Sequence, residues 1–121
     1  MKPATHDLTI YRDRDFSQTF YLKSRGAAMD LTGYSAKAEM RSGKDGDSLI
    51  VTFQATIDPL IGSIVISLTD TQTILLQDSQ ACWDLVLTDT HGLRQNYIEG
   101  AVQILGTVTR DEAAAGGVEV S

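Results

Sequence analysis

The stretch Ala36-Lys37-Ala38-Glu39-Met40-Arg41 decides the fold class. Apolar residues at 36, 38 and 40 alternate with charged residues at 37, 39 and 41, and an extended chain with side chains on opposite faces separates those two sets. One face of this strand is wet and the other faces a core. The same period of two recurs on both sides of it. N-terminally it marks a strand over Asp7 to Tyr11, with Leu8 and Ile10 on one face, and another over Phe16 to Leu22, with Phe16, Phe20 and Leu22 inward. C-terminally it marks Leu49 to Ala55, with Leu49, Val51, Phe53 and Ala55 inward, and Ser63 to Leu68, with Ile64, Ile66 and Leu68. Ala81, Trp83, Leu85 and Leu87 follow with Asp84 facing out, and a last long strand runs from Arg94 to Leu105.

Turn-forming residues separate these runs: the charged tetrad Arg12-Asp13-Arg14-Asp15, a loop containing Gly26, a corner at Gly33-Tyr34, Asp58-Pro59 with Gly62, and Asp89-Thr90-His91-Gly92. Ser42 to Ser48 reads as a hairpin loop. The period breaks once, where Thr69-Asp70-Thr71-Gln72 matches a capping box, predicting a short helix from Asp70 to Gln77 that packs Ile74, Leu75 and Leu76 on an end of the fold. The prediction is an all-β, immunoglobulin-like antiparallel β-sandwich of seven to nine strands with one short helix. Its core is expected to unite Trp83, Leu85, Leu87, Ile64, Ile66 and Phe53.

At 121 residues, with 42% hydrophobic and 21% charged residues, the chain fits one domain with its own core. That domain is assigned to residues 1–110, and 111–121, rich in Ala, Gly and acid residues, to a flexible C-terminal tail. Ten Lys and Arg against sixteen Asp and Glu give a net charge of -6, which opposes binding to nucleic-acid phosphates. No window approaches the roughly 20 apolar residues of a membrane helix, and the start Met1-Lys2-Pro3-Ala4-Thr5-His6-Asp7 lacks a signal-peptide pattern, so the mature protein is expected to be the whole chain. The single cysteine, Cys82, fits folding in a reducing cytosol.

Residues able to carry chemistry are few and scattered. His6 falls in an N-terminal segment expected to fray and His91 in a turn, so neither suggests a triad. Cys82 sits beside Trp83 in a strand and reads as a small packed side chain. Asp45 and Asp47 flank Gly46 but lack the remainder of a calcium loop, and Asp13, Asp15 and Asp30 form an acid pair only if the fold collects them in a cleft. Gly43/Gly46 and Gly116/Gly117 match no phosphate-binding spacing. Tyr11, Tyr21, Tyr34 and Tyr97 are candidate interface anchors or cross-strand pairs. The expectation is no catalytic residue, no cofactor, no metal ligand and no enzyme activity.

The order Asp7-Leu8-Thr9-Ile10-Tyr11-Arg12, Phe16-Ser17-Gln18-Thr19-Phe20 and Asp30-Leu31-Thr32-Gly33-Tyr34-Ser35-Ala36-Lys37-Ala38-Glu39-Met40-Arg41 resembles small β-sandwich modules of tailed bacteriophages, similar to the N-terminal domain of baseplate upper proteins and to fibre-attachment modules. The likeness continues as apolar pattern through Ile64 to Thr69, Trp83 to Asp89 and Glu99-Gly100. Many such modules carry a glycine in the first turn, where this chain has Arg12-Asp13-Arg14-Asp15. The resemblance implies a structural virion protein, assembled in the host cytoplasm, that binds other virion proteins as a tail, baseplate or fibre-attachment adaptor. The alternatives are a capsid cement or decoration protein and, more remotely, a small hydrolase or sugar-binding domain. Since the larger fibre region that usually follows is missing before Ser121, a standalone component is expected. Edge strands in need of cover and the virion setting point to a homo-oligomer, a trimer by the resemblance, with a monomer held by a larger neighbour as the alternative; charge and hydropathy leave neither nucleic acid nor membrane as an expected partner.

Overall fold

A computed structural model describes residues 3–42 and 48–106. Among the described residues there are ten strands and one helical turn: β1 (Ala4–Thr5), β2 (Leu8–Tyr11), β3 (Phe16–Tyr21), β4 (Lys23–Ser24), β5 (Ala27–Ala28), β6 (Ser35–Ser42), β7 (Leu49–Asp58), β8 (Ser63–Leu68), α1 (Asp70–Thr73), β9 (Gln80–Thr88) and β10 (Arg94–Leu105). The architecture is the β-sandwich that the alternation predicts. One layer is ordered β10-β9-β6-β7, and β7, β8 and β3 form the other. β7 belongs to both layers: its Leu49, Val51, Thr52 and Phe53 pair with β6, and Gln54 to Asp58 pair with β8. The loop glycine Gly26 sits in a small β4–β5 hairpin.

β1 and β2 run parallel to β10 rather than antiparallel to a sequence neighbour. Alternation within a strand cannot reveal this, because it fixes faces and not partners. The segment between them, expected to fray, is held firmly. The His6 amide donates to the Glu99 carbonyl (2.9 Å), the His6 carbonyl accepts the Trp83 indole N–H (2.8 Å), and Asp7 Oδ1 accepts the Ala101 amide (3.0 Å). Gly100 permits this approach, since a Cβ there would collide with the His6 carbonyl.

The core lies between the layers. Trp83, Leu85 and Leu87 of β9, Phe53 of β7 and Ile64 and Ile66 of β8 are all buried, as their phase predicts, together with Leu8, Ile10, Met40, Val102 and Ile104. Aromatic rings bridge the layers: Phe20 of β3 stacks on Trp83 (5.6 Å between centroids), Phe53 meets Trp83 at 6.3 Å, and the His6 ring stands edge-on to Phe20 at 5.2 Å. Leu49 is the exception to its strand's phase, at 50% exposed. A register shift between Met40 and Arg41 places Leu49 opposite Arg41, on the solvent side.

The helix is shorter than predicted and ends at Thr73. Its N-terminus is the capping box read from sequence, with Thr69 and Gln72 bonding reciprocally. Beyond it the chain tightens into i to i+3 bonds, and the Arg12 side chain takes the carbonyls of Leu76, Gln77 and Asp78. Leu76 is buried there, whereas Ile74 and Leu75 stay 54% and 73% exposed. The hairpin tip with Asp45 and Asp47, the 110/111 boundary and the tail 111–121 lie outside the described residues.

Two substitutions test this frame. Trp83→Ala is expected to cost about 3–5 kcal/mol, as large aromatic truncations in cores do. Gly100→Ala is expected to cost about 1–3 kcal/mol by displacing the N-terminal segment. Urea unfolding reads both, and a midpoint equal to that of the unmodified protein contradicts the corresponding contact.

Candidate functional site

Among the described residues, the fold does not gather the chemistry-bearing side chains into one place; His6, His91, Asp15, Asp30 and Cys82 have separate structural contacts. The His6 ring packs on Phe20. The His91 amide donates to the Asp89 carboxylate, as does that of Leu93, and these two bonds hold the Asp89 carboxyl below its usual range. Asp30 is likewise lowered by the Thr32 hydroxyl and amide. Asp15 accepts the Asp70 amide at the start of the helix (2.7 Å), where a carboxylate complements the exposed N–H groups. Asp13 adopts φ 64°, filling with an aspartate the left-handed turn position where the resemblance leads one to expect glycine. Cys82 is half-buried, its Sγ 3.6 Å from the Arg41 carbonyl. Among the described residues no group of three or more His, Cys, Asp or Glu is placed to hold a metal.

Two of the four tyrosines are exposed, Tyr11 on β2 and Tyr21 on β3. Tyr34 and Tyr97 instead pack against the core, and burial, then the neighbouring Tyr34 and Asp89, push the Tyr97 phenol above its usual value.

The remaining feature is the outer face of the β2-β10-β9-β6 layer. It carries an open groove of about 650 Å³ whose rim includes Asp7, just before β2, Thr9 of β2, Ala101 and Gln103 of β10, and Gln80 and Cys82 of β9. Cross-strand pairing sets Ala101 beside Cys82 and Gln103 beside Gln80. The floor is low because Gly100 and Ala101 carry little or no side chain, and the rim offers amides and a hydroxyl with one carboxylate, Asp7, already engaged by Ala101.

Next to the groove, pairing aligns Glu99, Asp84 and Glu39 in one row across β10, β9 and β6. Glu39 is neutralised within its own strand by Arg41 (2.8 Å) and Lys37 (3.3 Å), and the Arg41 bond holds its carboxyl below the usual range. Asp84 has no such relief: burial raises its carboxyl, Glu39 and Glu99 raise it further, and Arg41 only partly opposes them. Each of the three acids is readable from sequence as a solvent-facing position. Their alignment is not, because it depends on the register between strands.

Residues 2–105 match the family model described as LtfC-like, beta-sandwich domain, and the chain belongs to that family. The family is phage-associated and connected with long tail fibres, which makes this chain a phage β-sandwich module. No curated protein matches the chain.

The acid row predicts a pH-dependent effect of Asp84→Asn. Because the folded state raises this carboxyl, ionising it costs stability, and the cost grows as the pH rises from the ordinary aspartate value, about 3.9, through the raised one. Asp84→Asn is therefore expected to stabilise the fold at pH 7 by about 0.2–1 kcal/mol, the range of exposed cross-strand charge pairs. The gain should vanish below about pH 4. Chemical unfolding at both pH values checks this, and a destabilised Asn variant at pH 7 contradicts it.

Proposed function

We propose that this tail-fibre-related phage module is a non-catalytic adaptor of the virion, joining a fibre or baseplate component through the outer face of the β2-β10-β9-β6 layer. The observation that carries the reading is the family match over residues 2–105, which covers every described strand. The geometry supports it in two ways. The histidines, the cysteine and the described turn aspartates are engaged one by one in structural contacts instead of meeting around a shared cleft. The groove beside Ala101 mixes apolar and polar lining, is mostly uncharged and is open, which favours a protein surface as ligand.

Ala101→Arg tests the reading, because residue 101 points to solvent and a long charged side chain there fills the groove without entering the core. The expected result is an unchanged urea midpoint with particle incorporation reduced at least about tenfold, as for a charge buried unpaired at an interface. Normal incorporation of the variant overturns the reading. Finding the protein on the capsid lattice of intact particles replaces it with the decoration role.

A further inference from the structure

The open edge of the three-stranded layer belongs to β3, which among the described residues pairs only with β8. The Leu22 amide donates to the Gly62 carbonyl (2.8 Å), extending the register in which Phe20 faces Ile64 and Phe16 faces Leu68. Bonded positions alternate along an antiparallel ladder, so the even-numbered residues of β3 bond β8 and the N–H and C=O groups of Ser17, Thr19 and Tyr21 point to the open side. Of these groups, the Thr19 carbonyl accepts the Gln18 side-chain amide at 3.1 Å. No charged residue and no proline lies between Asp15 and Lys23, and the β3–β8 register runs without a bulge. Among the described residues, the charge, proline and bulge that commonly guard an edge strand are missing from β3.

We propose that β3 pairs antiparallel with β3 of a second copy of this chain, about a twofold axis at Thr19. Two conditions select this register. The outward backbone groups of one copy must meet those of the other, which requires odd-numbered residues to face odd-numbered residues. Centring on Thr19 then sets Thr19 opposite Thr19, Ser17 opposite Tyr21, and Asp15 opposite Lys23 at both ends. Asp15 and Lys23 are exposed, and the bond from Asp70 occupies only one Asp15 oxygen. Centring on Gln18 instead sets Asp15 opposite Tyr21 and carries Lys23 out to Asp13, which lies in the left-handed turn before the strand and cannot continue the ladder. Self-pairing also explains the uncharged strand, since around a twofold axis a charge near the centre meets its own image. Tyr21, 64% exposed in the single chain, becomes covered beside Ser17 of the second copy. The two three-stranded layers merge into one six-stranded sheet, the mode of edge-strand addition. This contact is independent of which virion protein the module joins, and it closes a pair, not the ring of three that the resemblance implies.

Sedimentation equilibrium of the full chain from micromolar to millimolar concentration tests the proposal. The expected species at the upper end has twice the 13.1 kDa chain mass. Thr19→Lys, which sets two lysines on the axis, is expected to abolish it with an unchanged urea midpoint. Lys23→Glu, outside β3, is expected to weaken it by about tenfold through two like-charge contacts, and it supplies the answer if Thr19→Lys folds poorly. A chain that stays monomeric throughout, a mass of three chains, or a pair that survives Lys23→Glu unweakened overturns the proposal.

Discussion

The Trp83 indole N–H must find an acceptor inside the sandwich, and the His6 carbonyl supplies it at 2.8 Å. Leaving that donor unpaired would forfeit about 1–3 kcal/mol, and residue 6 reaches it by passing close over Gly100, where a side chain would collide with its carbonyl. The consequence is topological. With His6 fixed above β10, β1 and β2 extend along β10 in parallel at one constant register, Ala4 opposite Ile98 and Leu8 opposite Val102. The His6 ring then reaches across to Phe20, and Phe20 stacks back on the same indole. One tryptophan thereby ties the N-terminal segment to both layers.

This constraint also decides which edges are closed. The N-terminal strands pair with β10 instead of β3, so the long strand Arg94 to Leu105 lies inside its layer and β3 remains the open edge of the other. The groove has the same origin, since it lies where the chain from Asp7 into β2 is laid against β10 at Gly100 to Gln103. The groove on the outer face and the open edge at β3 are thus both consequences of one packing choice.

Alternation made the layers legible in the sequence, because burial on one side imposes a period of two whichever strands are neighbours. Trp83, Phe53, Ile64 and Ile66 could be placed in the core on that ground alone, and Thr69 with Gln72 marked the helix start from purely local bonds. What stayed hidden depends on contacts between residues far apart in the chain. The helix end is set by Arg12, some 64 residues from Leu76. The exposure of Leu49 follows from a register shift opposite Met40 and Arg41. The row Glu39, Asp84 and Glu99 exists only through cross-strand pairing, and His6 appears frayed until Trp83 is seen to need its carbonyl. The candidate surface was invisible for the same reason, being an assembly of small and polar residues with no motif of their own.

Hydrogen exchange at the Trp83 indole, followed by NMR, tests the central claim most directly. If the His6 carbonyl pins the N-terminal segment, the indole proton exchanges only when the whole domain unfolds, with the same opening free energy as the backbone amide of Leu85 in the centre of β9. An indole proton that exchanges well ahead of the Leu85 amide, by local release of residues 3–11, contradicts the account.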